Sequence, residues 1–552
     1  MEWHRKLHAQ VFGCALLCLV VLAVSGNIGA QTPPPKKTIT RRMAAAVRPA
    51  ESPDIARFRT RVDAALSEPG ADQAYWGILV TDAETGAVLF ARNPDGYFMP
   101  ASNAKLFTTA LALATLGPDY RVKTRVASSG SVDASGVLHG DLVLIGGGDA
   151  NLSNRKFPFE KREEREGPPE RVMSEFADGV AARGVKEITG NIVADDSLFQ
   201  PERFPSGWSI DDMQWSYGGA VSAIAINDNS FTVELWPGAR EGDPVRSEAG
   251  FAADFYTIVN SVQTSAGGIE ESLAATREPG SHVIRISGTM PAGERPRVLT
   301  FAIEQPAEYA ATLLARLLTL RGVKIDGNPR ARHGGDPPLA DAPPQNILPD
   351  RVSRTVSEDV RLTNKESENL HAELLLLLAA RAKAGANSYD DALKFAAAFF
   401  KTAGIAEGDV SLSDGSGLSR KDLVTPRSLV QILRYAATQP WADTYRSSLP
   451  VAGEDGTLSE RMKNTAAQGH VFAKTGTIGR ANALSGYATT LHGEHLIFSI
   501  LGNNNNHHAQ DSNKVIDAIA VAMTEELGAE PPAKKKSEKE VKNKIEQAPE
   551  KR

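Results

Sequence analysis

The chain has 552 residues, of which 41% are hydrophobic and 23% are charged, and its formal net charge is -6. A length well above the ~100 to 200 residues of one domain predicts about three domains. The composition is ordinary for a globular protein, and the absence of a basic excess argues against nucleic acid as a partner.

The N-terminus has the pattern of a signal peptide. Basic residues at positions 4–6 precede an apolar run over residues 11–24, which ends just before the small residues at 29–30. Fourteen apolar residues fit the ~7 to 15 of a signal sequence and fall short of the ~20 that span a bilayer as a helix. We therefore expect export to the periplasm or cell-wall space with cleavage after Ala30, and an uncleaved anchor with loose membrane association is the alternative.

The two cysteines and the polar ends of the chain limit the chemistry further. Cys14 and Cys18 both lie in the signal segment 1–30, so a mature chain would have no thiol for catalysis, metal binding or a disulfide. Residues 31–53 and 529–552 lack apolar periodicity and are predicted to form a flexible leader and a disordered charged tail. From position 534 the tail carries 8 Lys or Arg against 4 Glu, which suits a loose contact with anionic wall polymer.

The folded part begins with a predicted hairpin and a predicted buried helix. Residues 75–81 and 87–92 are strand-like and flank a turn at 82–86. Over residues 102–116 nearly every helical face is apolar, which is typical of a helix inside a large core, and Gly and Pro at 117–118 end it.

The middle of the chain contains two similar helix-strand units. A helical pattern over 172–182 leads into the tetrapeptide Arg-Gly-Val-Lys, and a second one over 309–320 leads into the same tetrapeptide. Between them, residues 236–300 are β-rich with glycine turns, which suggests a nested module. The last third predicts helices over 368–382, 389–402 and 514–527 and strands over 484–490 and 495–502.

The buried helix starts with the first candidate for catalysis. Ser102 and Lys105 lie three residues apart, so their hydroxyl and amine share one helix face. A serine hydroxyl attacks a carbonyl only when a base removes its proton, and an amine buried in an apolar core loses enough basicity to act as that base. About two Ser-x-x-Lys matches are expected by chance. Ser153 and Lys156 form such a decoy before a charged, proline-flanked stretch, so the context favours Ser102.

Two further motifs follow in the order that Ser-Lys acyl transfer requires. Ser367-Glu368-Asn369 offers a second hydroxyl that relays a proton and an amide that holds a substrate backbone. Lys474-Thr475-Gly476-Thr477 offers positive charge and hydroxyls for a terminal carboxylate, and its glycine lets a strand approach the substrate closely. The three motifs together are far more specific than any one of them.

Eight stretches that include these motifs resemble one known family. They are residues 100–106, 147–149, 195–199, 227–229, 367–370, 414–419, 449–453 and 474–477. On them the chain resembles the D-alanyl-D-alanine carboxypeptidase/endopeptidase family, the low-molecular-mass class C penicillin-binding proteins. The resemblance spans nearly the whole exported chain, and the separation of 262 positions from Lys105 to Ser367 fits the insertion that the family has there. Glu368 departs from its pattern, in which Asp is common.

The resemblance implies a multidomain α+β fold. A β-lactamase/transpeptidase-like catalytic domain, an antiparallel sheet with helices on both faces, would be split by two inserted, nested smaller domains. We expect the catalytic domain at 54–121 and 345–528, inserted domain II at 122–235 and 301–344, and nested domain III at 236–300.

The resemblance also implies a function. The chain would be a serine-type D-Ala-D-Ala carboxypeptidase and endopeptidase that acts on peptidoglycan stem peptides and cross-links and is inhibited by β-lactam antibiotics. The implied roles are nucleophile for Ser102, acylation base for Lys105, proton relay for Ser367 and substrate clamp for Asn369. The carboxylate site is implied at Lys474, Thr475, Gly476 and Thr477, and the oxyanion hole at the backbone amides of Ser102 and Thr477.

A second substrate site is implied beyond the terminal D-alanines. Stem peptides of the diaminopimelate type carry a side chain that ends in an amine and a carboxylate, and the family reads it with one acid and one arginine. The matching positions are Asp195 and Arg420, which are suited to pair with the amine and to fork onto the carboxylate. The alternative is that Asp195 is a turn residue and Arg420 part of a surface ion pair.

No cofactor and no metal site is predicted. His507 and His508 lack a third ligand at a suitable spacing, and the glycines at 146–148 lack the Lys-Ser/Thr ending of a phosphate-binding loop. A β-lactamase and a catalytically idle penicillin-binding sensor or scaffold are the alternative functions. The inserted domains argue against the first and the complete set of motif groups against the second, while the oligomeric state stays open.

Overall fold

The computed structural model describes residues 52–160, 164–334, 338–341, 346–505 and 509–528. The predicted signal peptide, almost all of the predicted leader, the tail and the two histidines at 507–508 therefore lie outside the described residues. Within the described ranges, no helix is long and apolar enough to cross a membrane.

The helices of the described residues are numbered in chain order. They are α1 (Pro53–Leu66), α2 (Ala104–Leu116), α3 (Arg171–Ala182), α4 (Pro306–Leu320), α5 (Val356–Lys365), α6 (Asn369–Ala384), α7 (Tyr389–Thr402), α8 (Pro426–Ala437), α9 (Ala442–Ser448) and α10 (Ala509–Glu526). The predicted helices agree with α2, α3, α4, α6, α7 and α10 within a few residues at each end.

The strands are numbered in the same way. They are β1 (Tyr75–Asp82), β2 (Val88–Arg92), β3 (Lys123–Ser128), β4 (Val137–Leu138), β5 (Leu142–Ile145), β6 (Asp149–Leu152), β7 (Glu187–Ile188), β8 (Ile192–Asp195), β9 (Ile224–Ile226), β10 (Ser230–Trp236), β11 (Arg246–Glu248), β12 (Thr257–Ser265), β13 (Ser272–Thr276), β14 (Val283–Pro291), β15 (Arg297–Ala302), β16 (Lys324–Ile325), β17 (Pro329–Arg332), β18 (Ile347–Val352), β19 (Val410–Ser411), β20 (Leu423–Val424), β21 (Val471–Ile478), β22 (Ala481–Thr489) and β23 (His495–Asn503). The predicted hairpin of β1 and β2 is confirmed, and so are β22 and β23.

The two ends of the folded chain meet in one antiparallel sheet. Its strand order is β2-β1-β23-β22-β21, so strands before residue 93 pair with strands after residue 470. Side chains alternate between the faces of a strand, and in β1 Ile78 and Val80 enter one core whereas Leu79 enters another. Because α1 and α10 cover the first face and α2, α6 and α8 the second, the strands are apolar at nearly every position. This confirms the predicted antiparallel sheet between helices.

The strands between α2 and α5 form separate sheets, most of whose buried side chains belong to a second core. The largest has the strand order β17-β8-β5-β3-β18 and packs with α3 and α4. After α3 come β7 and β8, and after α4 come β16 and β17; the corresponding strands pair in parallel. The two similar helix-strand units predicted from the repeated tetrapeptide are thus confirmed, and they lie side by side.

The β-rich segment forms two three-stranded sheets. Their orders are β11-β10-β15 and β12-β14-β13. β10 begins at Ser230, ahead of the predicted boundary at 236, because its alternating Phe231, Val233 and Leu235 enter the same core as the side chains of α4. The division into domains II and III stays a prediction.

Candidate active site

The candidate nucleophile lies on a tight turn that leads into the buried helix. Ser102 is the middle residue of a 3₁₀ turn, Ala101–Asn103, and the preceding Ala101 has a left-handed φ of 47°. Two glycines from distant segments, Gly476 and Gly417, allow the backbone of those segments to pack closely against this turn. A Cβ on Gly476 would lie 2.8 Å from the Pro100 carbonyl oxygen, and a Cβ on Gly417 only 1.9 Å from that of Ala101.

Lys105, in the first turn of α2, makes three hydrogen bonds with its amine. The Nζ donates to Ser102 Oγ at 2.9 Å, Asn369 Oδ1 at 2.6 Å and the Ser416 carbonyl at 2.8 Å. Burial lowers the pKa of Lys105 to about 8, although the nearby Asp414 carboxylate favours the charged form. A sizeable fraction of this amine is therefore neutral near physiological pH and able to accept the Ser102 proton.

The second and third motifs meet on the other side of Ser102. Lys474 on β21 is fully buried, and its Nζ donates to Ser367 Oγ at 2.9 Å and to the Thr475 carbonyl at 3.0 Å. Burial lowers the pKa of Lys474 well below its usual value, and the charge on Lys105 lowers it further. Asn103 fixes β21 beside the nucleophile turn by donating from Nδ2 to the Lys474 carbonyl at 2.9 Å.

The threonines of the third motif differ in their surroundings. Thr475 Oγ1 lies 2.7 Å from Thr457 Oγ1, and the Thr475 side chain is largely buried. Thr477 Oγ1 accepts a hydrogen bond from Asn482 Nδ2 at 3.3 Å, and Thr477 lines the open cleft. The edge of β21 thus presents one hydroxyl to the cleft and keeps the other behind it.

The cleft is a cavity of about 350 Å³ to which the inserted region contributes a wall. Asn369 Nδ2 donates to the Tyr217 carbonyl at 2.7 Å, and Arg420 Nη1 donates to Asp212 Oδ2 at 2.7 Å. The residues that line the cleft are Ser102, Asp212, Tyr217, Ser367, Asn369, Gly417, Leu418, Arg420, Thr477, Ile478 and Gly479.

The structure does not bring Asp195 and Arg420 together. Asp195 ends the interior strand β8, is 1% exposed, and is paired with Arg332 of the adjacent β17. It also accepts a hydrogen bond from Ser197 Oγ at 2.7 Å and does not line the cleft. The predicted joint role of Asp195 and Arg420 in binding one substrate side chain is therefore corrected for Asp195, because the carboxylate that faces Arg420 is that of Asp212.

Sequence reasoning missed Asp212 and Tyr217, which line the cleft from a loop and from the short 3₁₀ turn Ser216–Gly218 that follows it. The stretch 207–217 carries two tryptophans, a tyrosine and two aspartates with no helical or strand period. Aromatic side chains in such a non-periodic stretch were the available signal of a functional surface. The local sequence does not indicate which distant part of the chain they contact.

Sequence reasoning gave no role to two buried carboxylates near Lys105, those of Asp414 and Glu373, although Asp414 begins one of the stretches that carry the resemblance. Asp414 accepts hydrogen bonds from the backbone amides of Gly417 and Ser419, both at 2.7 Å, and from Trp208 Nε1 at 2.9 Å. Glu373 accepts one from the Gly415 amide at 2.8 Å. These bonds shape the loop 414–419 whose Ser416 carbonyl holds Lys105, and burial raises the pKa of Glu373 to about 8.

Within the described ranges, no group of three or more His, Cys, Asp and Glu side chains is arranged to hold a metal ion. The groups assembled around Ser102 are instead a hydroxyl, two buried amines, a second hydroxyl and an amide. Such a set is suited to acyl transfer, since the amines and hydroxyls move protons at a carbonyl carbon.

Comparison with known proteins gives concordant matches. Residues 58–526 match the family described as D-Ala-D-Ala carboxypeptidase 3 (S13). A D-alanyl-D-alanine carboxypeptidase from Actinomadura sp. (strain R39) is 35% identical over 488 residues, which are 87% of this chain and 86% of that protein. The D-alanyl-D-alanine carboxypeptidase DacB from Haemophilus influenzae is 24% identical and covers 76% of this chain and 84% of its own length.

Solved structures support the fold. The crystal structure of penicillin binding protein 4 from Haemophilus influenzae superposes with a TM-score of 0.70 at 23% identity, covering 84% of this chain and 98% of that one. A second structure of that protein, complexed with a novel β-lactam, superposes with a TM-score of 0.66 at 22% identity, covering 83% and 97%.

Proposed function

The chain belongs to the D-Ala-D-Ala carboxypeptidase 3 (S13) family of peptidases, and from that premise we propose that it cleaves the terminal D-Ala-D-Ala bond of peptidoglycan stem peptides through an acyl-enzyme on Ser102. The observation that carries the proposal is the 2.9 Å hydrogen bond between Ser102 Oγ and the fully buried Lys105 amine. A peptidoglycan cross-link is also a D-alanyl amide, with a different leaving amine, and its hydrolysis would follow the same steps.

Acylation starts with a proton transfer. The neutral Lys105 amine takes the proton of Ser102, and the Ser102 oxygen attacks the carbonyl carbon of the penultimate D-alanine. We assign the oxyanion to the backbone amides of Ser102 and Thr477, and the terminal carboxylate to Lys474 and Thr477. The role of Asn369 is to hold the substrate backbone at the mouth of the cleft.

The leaving amine needs a proton before the carbon-nitrogen bond breaks. Ser367 Oγ, which accepts a hydrogen bond from Lys474, is placed to relay that proton, and D-alanine then departs. Water attacks the ester carbonyl in the second half of the reaction, with Lys105 again accepting a proton, and Ser102 is released. A β-lactam would be attacked in the same way, and its ester would be hydrolysed slowly.

The pKa of Lys105 fixes the direction of the pH dependence. Only the neutral amine accepts a proton, so the acylation rate should rise with pH through a midpoint near 8, the lowered pKa of Lys105. Stopped-flow measurement of acylation by a fluorescent penicillin between pH 5.5 and 9.5 gives the profile. A rate that is flat or falls across this range would exclude a titrating lysine base.

The ion pair of Arg420 and Asp212 is placed to bind a side chain with two opposite charges. Arg420→Ala or Asp212→Asn should weaken hydrolysis of a diaminopimelate stem peptide by about 1 to 3 kcal/mol per lost charged contact, and should spare penicillin acylation. The measured quantity is kcat/KM for the peptide beside the penicillin acylation rate. Arg427→Ala, which removes an exposed ion pair with Asp95 elsewhere on the catalytic domain, is the control.

Equal losses for peptide and penicillin would show that the pair serves the general fold or chemistry and would overturn its role in side-chain recognition. A peptide with lysine at the third position, which lacks the extra carboxylate, should lose less in Arg420→Ala than the diaminopimelate peptide does.

One experiment separates the proposed function from its alternatives. Purified protein and its Ser102→Ala variant are incubated with a fluorescent penicillin and, separately, with a stem peptide that ends in D-Ala-D-Ala. Lasting label together with D-alanine release supports the peptidase. Rapid turnover of the label would instead indicate a β-lactamase, and label without D-alanine release an idle sensor. The substrate lies outside the cytoplasmic membrane, so the proposal includes export by the N-terminal segment.

A further inference from the structure

A buried charged network joins the inserted region to the second catalytic motif. Arg155 Nη2 donates to Asp228 Oδ2 at 2.7 Å and to Glu368 Oε1 at 2.6 Å, and the Arg155 side chain is only 5% exposed. Arg155 belongs to the stretch 153–156 that matches Ser-x-x-Lys without catalytic context. Glu368 is the middle residue of the second motif.

The network continues through a buried histidine at the start of α6. His371 Nε2 donates to the other oxygen of Asp228 at 2.9 Å, and its Nδ1 to Asp359 Oδ1 at 2.5 Å. Burial alone would lower the pKa of His371, but the two flanking carboxylates raise it to about 10. The ring is therefore held as an imidazolium, and the network has fixed charges and little freedom to rearrange.

Both carboxylates that bind Arg155 lie on or beside left-handed backbone. Ser367, next to Glu368, has a φ of 64°, and Asp228 has a φ of 57° between two asparagines that are also left-handed. Such conformations cost free energy in residues with a Cβ and persist only where the surroundings hold them. The charged network supplies a restraint at each of these two turns.

Glu368 stands between the two motif residues that serve the buried amines. Ser367 on one side accepts from Lys474, and Asn369 on the other accepts from Lys105. A carboxylate fixed by Arg155 limits rotation of the backbone on both sides of Glu368. The distance from Ser367 to the Lys474 amine and the distance from Asn369 to the Lys105 amine thus depend on the guanidinium of Arg155.

We infer that Arg155 is a positioning residue for acylation, which acts through Glu368 on Ser367 and Asn369. The inserted region thereby takes part in the chemistry as well as lining the cleft. The additional methylene of Glu368, compared with the aspartate common at this position, fits the contact that the longer side chain makes with Arg155. This inference rests on the proposed function.

The test compares acylation rates of full-length variants. Arg155→Met and Glu368→Gln should each slow penicillin acylation by roughly 10- to 100-fold, because a displacement on the order of 1 Å at a reacting group has an effect of that size. Arg155→Lys keeps a charge but not the geometry that joins two carboxylates, so its rate should lie between those of wild type and Arg155→Met.

Three readouts distinguish positioning from a purely structural role. Titration with excess penicillin gives the active fraction, which should stay near that of wild type, and the noncovalent affinity should change little while the acylation rate constant falls. Arg203→Lys is the matched control, because Arg203 forms a part-buried ion pair with Glu308 in the inserted region at 3.2 Å. It should acylate like the wild type.

A double-variant cycle gives the sharpest outcome. If Arg155 acts through Glu368, then Arg155→Met in a Glu368→Gln background should slow acylation by less than about twofold more. Losses that multiply, or a normal rate per active molecule in both Arg155→Met and Glu368→Gln, would overturn the inference. If Arg155→Met does not fold, Arg155→Lys takes its place in the cycle with Glu368→Gln, a substitution at a side chain that is 26% exposed. Absence of label on the wild type would overturn the proposed function instead.

Discussion

Replacement of Lys105 by Ala is expected to slow acylation by about 10²- to 10⁴-fold, the contribution of a well-placed general base. The variant loses the amine that donates a hydrogen bond to Ser102 Oγ at 2.9 Å. The fold should survive, because the other buried side chains of α2 form an apolar helix whose packing does not depend on the amine. Stopped-flow labelling and thermal unfolding measure the two effects separately.

Lys394→Ala is a suitable control for that variant, since it removes an exposed lysine that pairs with Asp391 on α7. Its acylation rate should equal that of the wild type. Labelling of Lys105→Ala at a near-normal rate would exclude this lysine as the base and would shift attention to Lys474, the second buried amine of the site.

Gly417→Ala is the second variant with a large expected effect, and its cause is steric. The new Cβ would lie 1.9 Å from the carbonyl oxygen of Ala101, so the nucleophile turn or the loop 414–419 must move by about 1 Å or more. A shift of that size costs about a hundredfold or more in rate. The acylation rate per folded molecule should fall accordingly, and the melting temperature should fall as well.

Gly385→Ala separates this clash from the conformational cost of alanine. Gly385 ends α6 with a φ of 66°, similar to the 81° of Gly417, but a Cβ there would have nothing within 4 Å. Its variant should lose some stability and keep the wild-type acylation rate. If the two variants lose activity equally, the contact between loop 414–419 and the nucleophile turn has no part in catalysis.

The local part of the site could be predicted from the sequence. Ser102 and Lys105 are three residues apart on one helix, so their proximity follows from helix geometry alone. The close approach of the third motif could also be predicted. A strand that packs against the turn at Ser102 needs a residue without a side chain, and Gly476 is that residue. The central sheet was also predictable, since its hairpin and its last two strands have clear apolar patterns.

The parts that failed depend on contacts between distant segments. Asp195 is the last residue of β8 in a motif-like stretch, yet its neighbour across the sheet, Arg332, forms an ion pair with it. Asp212 was not identified, because a loop without periodicity gives no direction for its side chains. The role of Arg155 was invisible for a similar reason, since Glu368 is 213 positions away and no local pattern joins the two.

The central claim is that Ser102 becomes acylated, and mapping the covalent adduct tests it most directly. Full-length protein is incubated with benzylpenicillin, its intact mass is measured, and the labelled peptide is identified after proteolysis and tandem mass spectrometry. We expect one penicilloyl group per molecule, located on Ser102 and absent from Ser102→Ala. An adduct on Ser153, Ser367 or Ser416, or an unmodified protein that still releases D-alanine from a stem peptide, would contradict the account.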